Sequence, residues 1–250
     1  MIVCFAAHKG GTAKTTSSIN VAAGLARAGK TTLLVDMDPQ GHSSIGLGVE
    51  PGYDEPTIAD VLGDATPLAK ITHPTAVEGL TLAPSNLRLA SVAESLYAKV
   101  KREERLSKAL ARSRSAYEWI VIDCPPALGV LTANAVDAAD VIIIPCQMGA
   151  RALDGLEDML DLIRLLKGDG FTRWHILLTM YDPRKTVTRE IFEEMLQPYA
   201  ERVLATRIYA NEALNQAQMA RQDIYSYDPR SRGALHYQDL SQELLERYYQ

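Results

Sequence analysis

One junction near the start of the chain narrows the fold more than any other feature. An apolar run from Ile2 to Ala7 meets His8-Lys9-Gly10-Gly11-Thr12-Ala13-Lys14-Thr15-Thr16, and a helical pattern follows with apolar residues at Ile19, Val21, Ala22 and Leu25. A strand, a glycine-bearing turn and a helix in this order make an anion cradle. The glycines let backbone N–H groups turn inward, and the helix N-terminus adds the positive end of its dipole. Lys14 supplies a cation to the β- and γ-phosphates of a nucleotide, and Thr15 a hydroxyl to Mg²⁺.

Short β-rich runs alternate with helical patterns along the rest of the chain, which predicts an α/β fold: a doubly wound, mostly parallel sheet with helices on both faces. The expected strands are 2–7, 31–36, 80–83, 119–123, 141–145, 175–180 and 202–206. Helices are expected over 15–28, 87–112, 131–138, 153–167, 188–196, 212–220 and 235–248. The Gly-, Pro- and Asp-rich stretch from Gly46 to Pro74 reads as a surface excursion with one short helical pattern around Ile58 to Leu62. A length of 250 residues fits one domain over 1–250. With the first strand starting at residue 2, no N-terminal helix-turn-helix extension is expected.

No apolar run approaches the roughly 20 residues that span a bilayer, so the expected location is cytoplasmic and no membrane partner is expected. Cys4, Cys124 and Cys146 form no C-x-x-C pair and sit in apolar segments, which reads as buried reduced thiols. The formal net charge of −5 means that any nucleic-acid binding must come from a local basic patch.

Ligands of open parallel sheets bind outside the carboxyl ends of the strands. Two of those ends carry acids suited to phosphoryl transfer, where a metal must be held and a water positioned. Asp123 closes Trp119-Ile120-Val121-Ile122 and is the candidate metal-side acid; Asp38, in Val35-Asp36-Met37-Asp38-Pro39-Gln40-Gly41, is a candidate for the water and the metal shell. Asp36 reads equally well as a metal-shell acid or as a strand-end carboxylate bonding its own loop. No asparagine is followed by lysine, so the guanine-reading N-K-x-D pattern is absent and ATP is preferred over GTP.

The pattern G-x-x-x-x-G-K-[ST] is not met, because His8 and Ala13 occupy the two glycine positions. The form that fits is K-G-G-x-x-K-[ST], with an extra lysine, Lys9, in front. On that loop the sequence resembles the ParA/MinD group of deviant Walker-loop ATPases, which have the P-loop NTPase fold. The segments 131–135, 152–156, 178–184 and 227–233 also read like the short partition ATPases of Soj type, so the likeness spans nearly the whole chain. Ala13 stands where the family usually has glycine, and a right-handed backbone is expected there, since the left-handed region would cost an alanine about 1 kcal/mol or more.

The resemblance implies ATP and Mg²⁺ as ligands, with Lys9, Gly10, Gly11, Thr12, Ala13, Lys14, Thr15 and Thr16 binding the nucleotide. It implies Lys9, Lys14 and Asp38 as catalytic, and Thr15, Asp38 and Asp123 around the metal. Lys9 would reach across an ATP-sandwich homodimer to the partner's phosphates, giving a slow, partner-stimulated ATPase. Non-specific DNA binding would use Arg184, Lys185, Arg189, Arg207 and Arg221, with Arg230 and Arg232 behind them, and would place the protein on the nucleoid. A ParB-like or other cargo-linked protein would stimulate turnover, the cargo being a plasmid, a chromosome origin or a protein assembly. Three alternatives remain at this point. A MinD-like membrane switch needs a basic amphipathic tail, an iron-protein-like reductase needs ligating cysteines on exposed loops, and an inactive scaffold would bind ATP without turnover.

Overall fold

The computed structural model describes residues 1–148 and 154–249. Among these residues eight strands form one sheet: β1 (Ile2–Phe5), β2 (Thr32–Asp36), β3 (His73–Pro74), β4 (Leu80–Ala83), β5 (Trp119–Asp123), β6 (Val141–Gln147), β7 (Trp174–Tyr181) and β8 (Val203–Tyr209). Their spatial order is β3-β4-β2-β5-β1-β6-β7-β8, and only β3, against β4, runs antiparallel. The central strand β1 lies between β5 and β6, so the helix that follows it starts at the carboxyl edge of the sheet's middle, where open α/β sheets take their ligands.

The strands are buried on both faces because side chains alternate and helices cover each side. Cys4 faces a core with Val35, Ile122, Ile58, Leu62, Leu106 and Leu160; its neighbours Val3 and Phe5 face the opposite core with Leu34, Val121, Leu25, Tyr237 and Leu240. The second core is closed by α1 (Lys14–Arg27) and α11 (Arg232–Tyr248), which pack on each other through Leu25, Tyr237, Leu240 and Leu244. The remaining helices are α2 (His42–Gly46), α3 (Ile58–Asp64), α4 (Arg88–Leu96), α5 (Arg105–Ala111), α6 (Val130–Ala138), α7 (Asp154–Lys167), α8 (Thr186–Met195), α9 (Glu212–Met219) and α10 (Ile224–Tyr227). At roughly 1.5–3 kcal/mol per fully buried aliphatic side chain, these two layers hold the sheet.

Each of the seven expected strands is present, with ends shifted by no more than three residues. The stretch from Gly46 to Pro74 departs from its reading as a surface excursion. Ile58, Ala59, Val61, Leu62, Leu68 and Ile71 are all buried, and α3 begins in a capping box in which Thr57 and Asp60 exchange side-chain and backbone hydrogen bonds. The helix expected over 87–112 is two helices. Its break contains neither Gly nor Pro, so local propensity does not explain it; Lys101 takes φ 54° and a 3₁₀ turn spans Arg102–Glu104. Tertiary bonds compensate: the Asn134 side chain accepts from the Leu106 N–H and donates to the Arg102 carbonyl. Of the segment 152–156 and the helix expected from residue 153, residues 152 and 153 lie outside the described residues.

Candidate nucleotide site

The carboxyl ends of β1, β2, β5, β7 and β8 surround a cleft of about 630 Å³ lined by Gly10, Gly11, Ala13, Lys14, Thr15 and Thr16 on one side. Asp38, Gln40, His42 and Pro126 line it as well, and Met180, Ile208–Asn211, Leu214 and Tyr237 face the loop from across the opening.

Lys14 is only 6% exposed. Its ammonium donates to the Lys9 carbonyl at 2.8 Å, which closes the loop back on the first turn of α1, and the Thr12 hydroxyl donates to the same oxygen at 3.4 Å. Burial pulls the Lys14 ammonium below its ordinary range, while Asp123 and Asp38 push it back up. Thr12 is buried and its carbonyl accepts from the Thr179 hydroxyl on β7 at 3.0 Å, pinning the middle of the loop to a distant strand. Gly11 has φ +71° with open space where a Cβ would stand, so it is the backbone angle that favours glycine there.

The right-handed backbone expected at Ala13 is not found. Ala13 has φ 66° and ψ 28° and occupies the N-cap of α1 in the left-handed region, so this alanine carries the strain that the family's usual glycine avoids. The reason is geometric: the turn must lift out of the loop and start α1 at Lys14, and the ladder bond from the Ser17 N–H to the Ala13 carbonyl at 2.9 Å holds it.

Asp36 and Asp123 are register partners on β2 and β5, and both are fully buried. Desolvation, with Asp123 beside it, raises the Asp36 carboxyl to about 7. Desolvation likewise raises Asp123 to about 6, against the pull of hydroxyls from Ser43 and Thr15. The two differ in what they hold. Asp36 accepts from the Asp38 N–H, the Ser44 N–H and the Ser44 hydroxyl, the last at 2.7 Å, so of its two readings the structure supports the loop-bonding one. Asp123 accepts from the Ser43 hydroxyl at 2.7 Å and the Ser18 hydroxyl at 3.3 Å, beside Thr15 of the loop. Asp38 is turned to the cleft and accepts from the Gln40 N–H at 2.9 Å.

Thus the structure gathers Gly10, Gly11, Ala13, Lys14, Thr15, Thr16 and Asp38 on one cleft, sets Asp123 directly behind Thr15, and leaves Lys9 exposed and outside the cleft lining. It does not unite the five basic residues considered for DNA. Arg207 bonds the Tyr181 hydroxyl at 2.8 Å and pairs with Glu193 at 3.4 Å, and Arg189 lies near Glu190 on the same side. Arg184 pairs with Asp182 at 2.9 Å, Lys185 stands exposed at the start of α8, and Arg221 pairs with Glu50 at 2.6 Å in a different region. Arg230 and Arg232 flank Ser231, the N-cap of α11, whose hydroxyl accepts from the Ala234 N–H.

Sequence reasoning missed Ser43 and Ser44, which hold the two acids, and the wall from Ile208 to Leu214. The available signal was position: each follows a carboxyl strand end. The three cysteines are all buried, not presented on exposed loops as cluster ligation would require. The tail helix α11 spends its apolar face on the core through Tyr237, Leu240 and Leu244, as a packing helix does, and no described helix is long and apolar enough to cross a membrane.

Comparison with known proteins agrees with this geometry. The AAA domain family matches residues 1–174. The sporulation initiation inhibitor protein Soj of Bacillus subtilis is 40% identical over 246 residues, covering 97% of each chain. The chromosome partitioning protein ParA of Myxococcus xanthus is 37% identical over 249 residues, covering 98% of this chain and 88% of its own. Among solved structures, cobyrinic acid a,c-diamide synthase of Mycobacterium smegmatis with bound ATP analogue and magnesium superposes with a TM-score of 0.82 at 31% identity, covering 99% of this chain and 95% of its own. A P-loop NTPase sheet, a K-G-G-x-x-K-T loop and near-full-length likeness to Soj and ParA together show that this chain belongs to the ParA/Soj family of partition ATPases.

Proposed function

We propose that the chain binds ATP with Mg²⁺ in this cleft, forms an ATP-sandwich homodimer, binds DNA without sequence preference and hydrolyses ATP slowly to position a cargo. What carries the reading is the convergence of Lys14, Thr15 and Asp38 on one cleft with Asp123 behind Thr15. The donor set fits the ligand. Thr15, Asp38 and Asp123 are hard oxygen donors of the kind Mg²⁺ takes, and the loop's N–H groups and Lys14 suit a polyphosphate. The superposable synthase with its ATP analogue and magnesium supports the same assignment.

In this reading Thr15, Asp38 and Asp123 would hold Mg²⁺, which would supply positive charge against the phosphates. Lys14 leaves the Lys9 carbonyl for the phosphates. Asp38 orients the attacking water. The exposed Lys9 side chain would reach into the partner's site and stabilise phosphate charge only in the dimer, so dimerisation is linked to ATP by mass action. Arg184, Arg189, Arg207 and Arg221 would meet DNA phosphates after exchanging their present acidic partners, with the exposed Lys185 beside Arg184, and that binding would weaken steeply with salt. A ParB-like or other cargo-linked protein would trigger hydrolysis, and the protein would reside in the cytoplasm on the nucleoid.

Sizing the Asp38→Ala variant with ATP·Mg²⁺ and with ADP tests nucleotide, dimer and hydrolysis together. The expected result is a dimer that persists with ATP, stays on DNA of any sequence and is absent with ADP. A variant that remains monomeric in ATP, or hydrolyses at the wild-type rate, overturns the assignment.

A further inference from the structure

Away from the nucleotide cleft, a second cavity of about 350 Å³ opens between the C-terminal end of α3, the 3₁₀ turn Leu68–Lys70 and α5. Its lining contains Lys101, Arg105, Lys108 and Arg112, and no carboxylate. In a chain with a formal net charge of −5, four cations around one small cavity are a local concentration, not a general property of the surface.

Apart from the hydroxyls of Thr66 and Ser113, the lining is apolar where it is not basic. Val61 and Leu68 are buried beneath it, and Val100 on its edge is 88% exposed, the most exposed of the large hydrophobic side chains among the described residues. Beside Val100, Lys101 holds φ 54° in the left-handed region, a conformation that L side chains rarely adopt, and lines the cavity. Among the described residues, the only carboxylate paired with these lysines is the neighbouring Glu104, which reaches Lys108 at 2.8 Å and Lys101 at 3.5 Å from outside the lining. Arg105 spends donors on the Leu62 and Gly63 carbonyls, which fixes its guanidinium in the wall.

We propose that this cavity docks an acidic peptide segment of a partner protein, one apolar side chain entering between Val61 and Leu68 while flanking carboxylates meet Lys101, Lys108 and Arg112. Charge complementarity selects the partner. The concave apolar floor favours a peptide over duplex DNA, whose evenly spaced phosphates would reach the rim and leave the floor unfilled.

A fluorescein-labelled peptide with one leucine between two triglutamate arms is the probe, followed by anisotropy at 0.05 and 0.15 M salt. Saturable binding is expected, about tenfold weaker for Lys108→Glu/Arg112→Glu and for the probe with serine in place of leucine. Both substituted residues are exposed, so the variant should unfold at the wild-type temperature and keep its ATPase rate. Equal binding by wild type and variant, or indifference to the leucine, overturns the proposal. So does displacement of the probe by duplex DNA, or a change in self-association caused by the double variant alone; these would assign the cavity to nucleic acid or to a second copy of the chain.

Discussion

One wall of the nucleotide cleft is a single loop, residues 10–16, whereas the wall across from it draws Met180 from β7, Tyr209 and Asn211 from the exit of β8, Leu214 from α9 and Tyr237 from α11. The loop wall is held by contacts made largely within itself, such as Lys14 on the Lys9 carbonyl. The far wall exists only because β7 and β8 pair at one side of the sheet, with an irregular register between Leu178 and Tyr181 that leaves Met180 at φ 48°. A contiguous wall needs the right residues in sequence. An assembled wall needs the whole sheet order first, and its residues can be ordinary ones.

The difference is open to measurement. Lys14→Ala removes the one buried cation of the loop wall and should weaken ATP binding by roughly 100-fold, measured by calorimetry; wild-type affinity would mean that the far wall dominates. The acids behind the loop should make the nucleotide-free protein pH-sensitive. Asp36 and Asp123 have carboxyls raised by burial, so the folded state holds protons that the unfolded state releases above the ordinary carboxylate range near pH 4. Their contribution is complete below that range and is lost as pH rises toward about 7. The unfolding free energy from urea titration should therefore fall between pH 5 and 8, by an amount on the order of 1–3 kcal/mol, and Asp36→Asn should flatten the trend. An unchanged slope in that variant would clear Asp36 of the effect.

On the far wall, Asn211 caps α9 by accepting from the Ala213 N–H at 2.9 Å. Asn211→Ala should lower stability by about 1 kcal/mol and ATP affinity severalfold, far less than the loop variant does. If its loss of affinity matched that of Lys14→Ala, the contrast between the walls would fail. The smallest effect is expected at Ala13→Gly. It relieves a left-handed alanine at the cost of a more flexible unfolded chain, for a net gain of no more than about 1 kcal/mol and a melting point higher by about 2–4 °C. A lower melting point would show that the Ala13 methyl is stabilised by contacts that outweigh its backbone strain.

What could be read in advance follows from how local each interaction is. Lys14, Thr15 and Asp123 were identifiable because residue type, spacing and strand-end position coincide within a few residues. Asp36 was ambiguous until Ser44 folded beneath it, and Ser43 was marked only by its place after the end of β2, because its bond to Asp123 joins residues far apart in the chain. The backbone at Ala13 was expected wrongly from the side chain alone: propensity favoured the right-handed region, and the demand that α1 start at Lys14 overrode it. The same override split the helix expected over 87–112, where Asn134 takes up the Leu106 N–H and the Arg102 carbonyl that an unbroken helix would have paired.

The sequence by itself determined the alternation of strand and helix, the phosphate loop, the two strand-end acids and the burial of the cysteines, since hydrophobic period and glycine placement act over a few residues. Only the tertiary structure decided the sheet order, the left-handed turn at Ala13, the serines behind the acids, the far wall of the cleft and the basic cavity beside α5. Each of these depends on which distant backbone groups and side chains are brought within a few ångströms, and that is settled when the two cores close on the sheet.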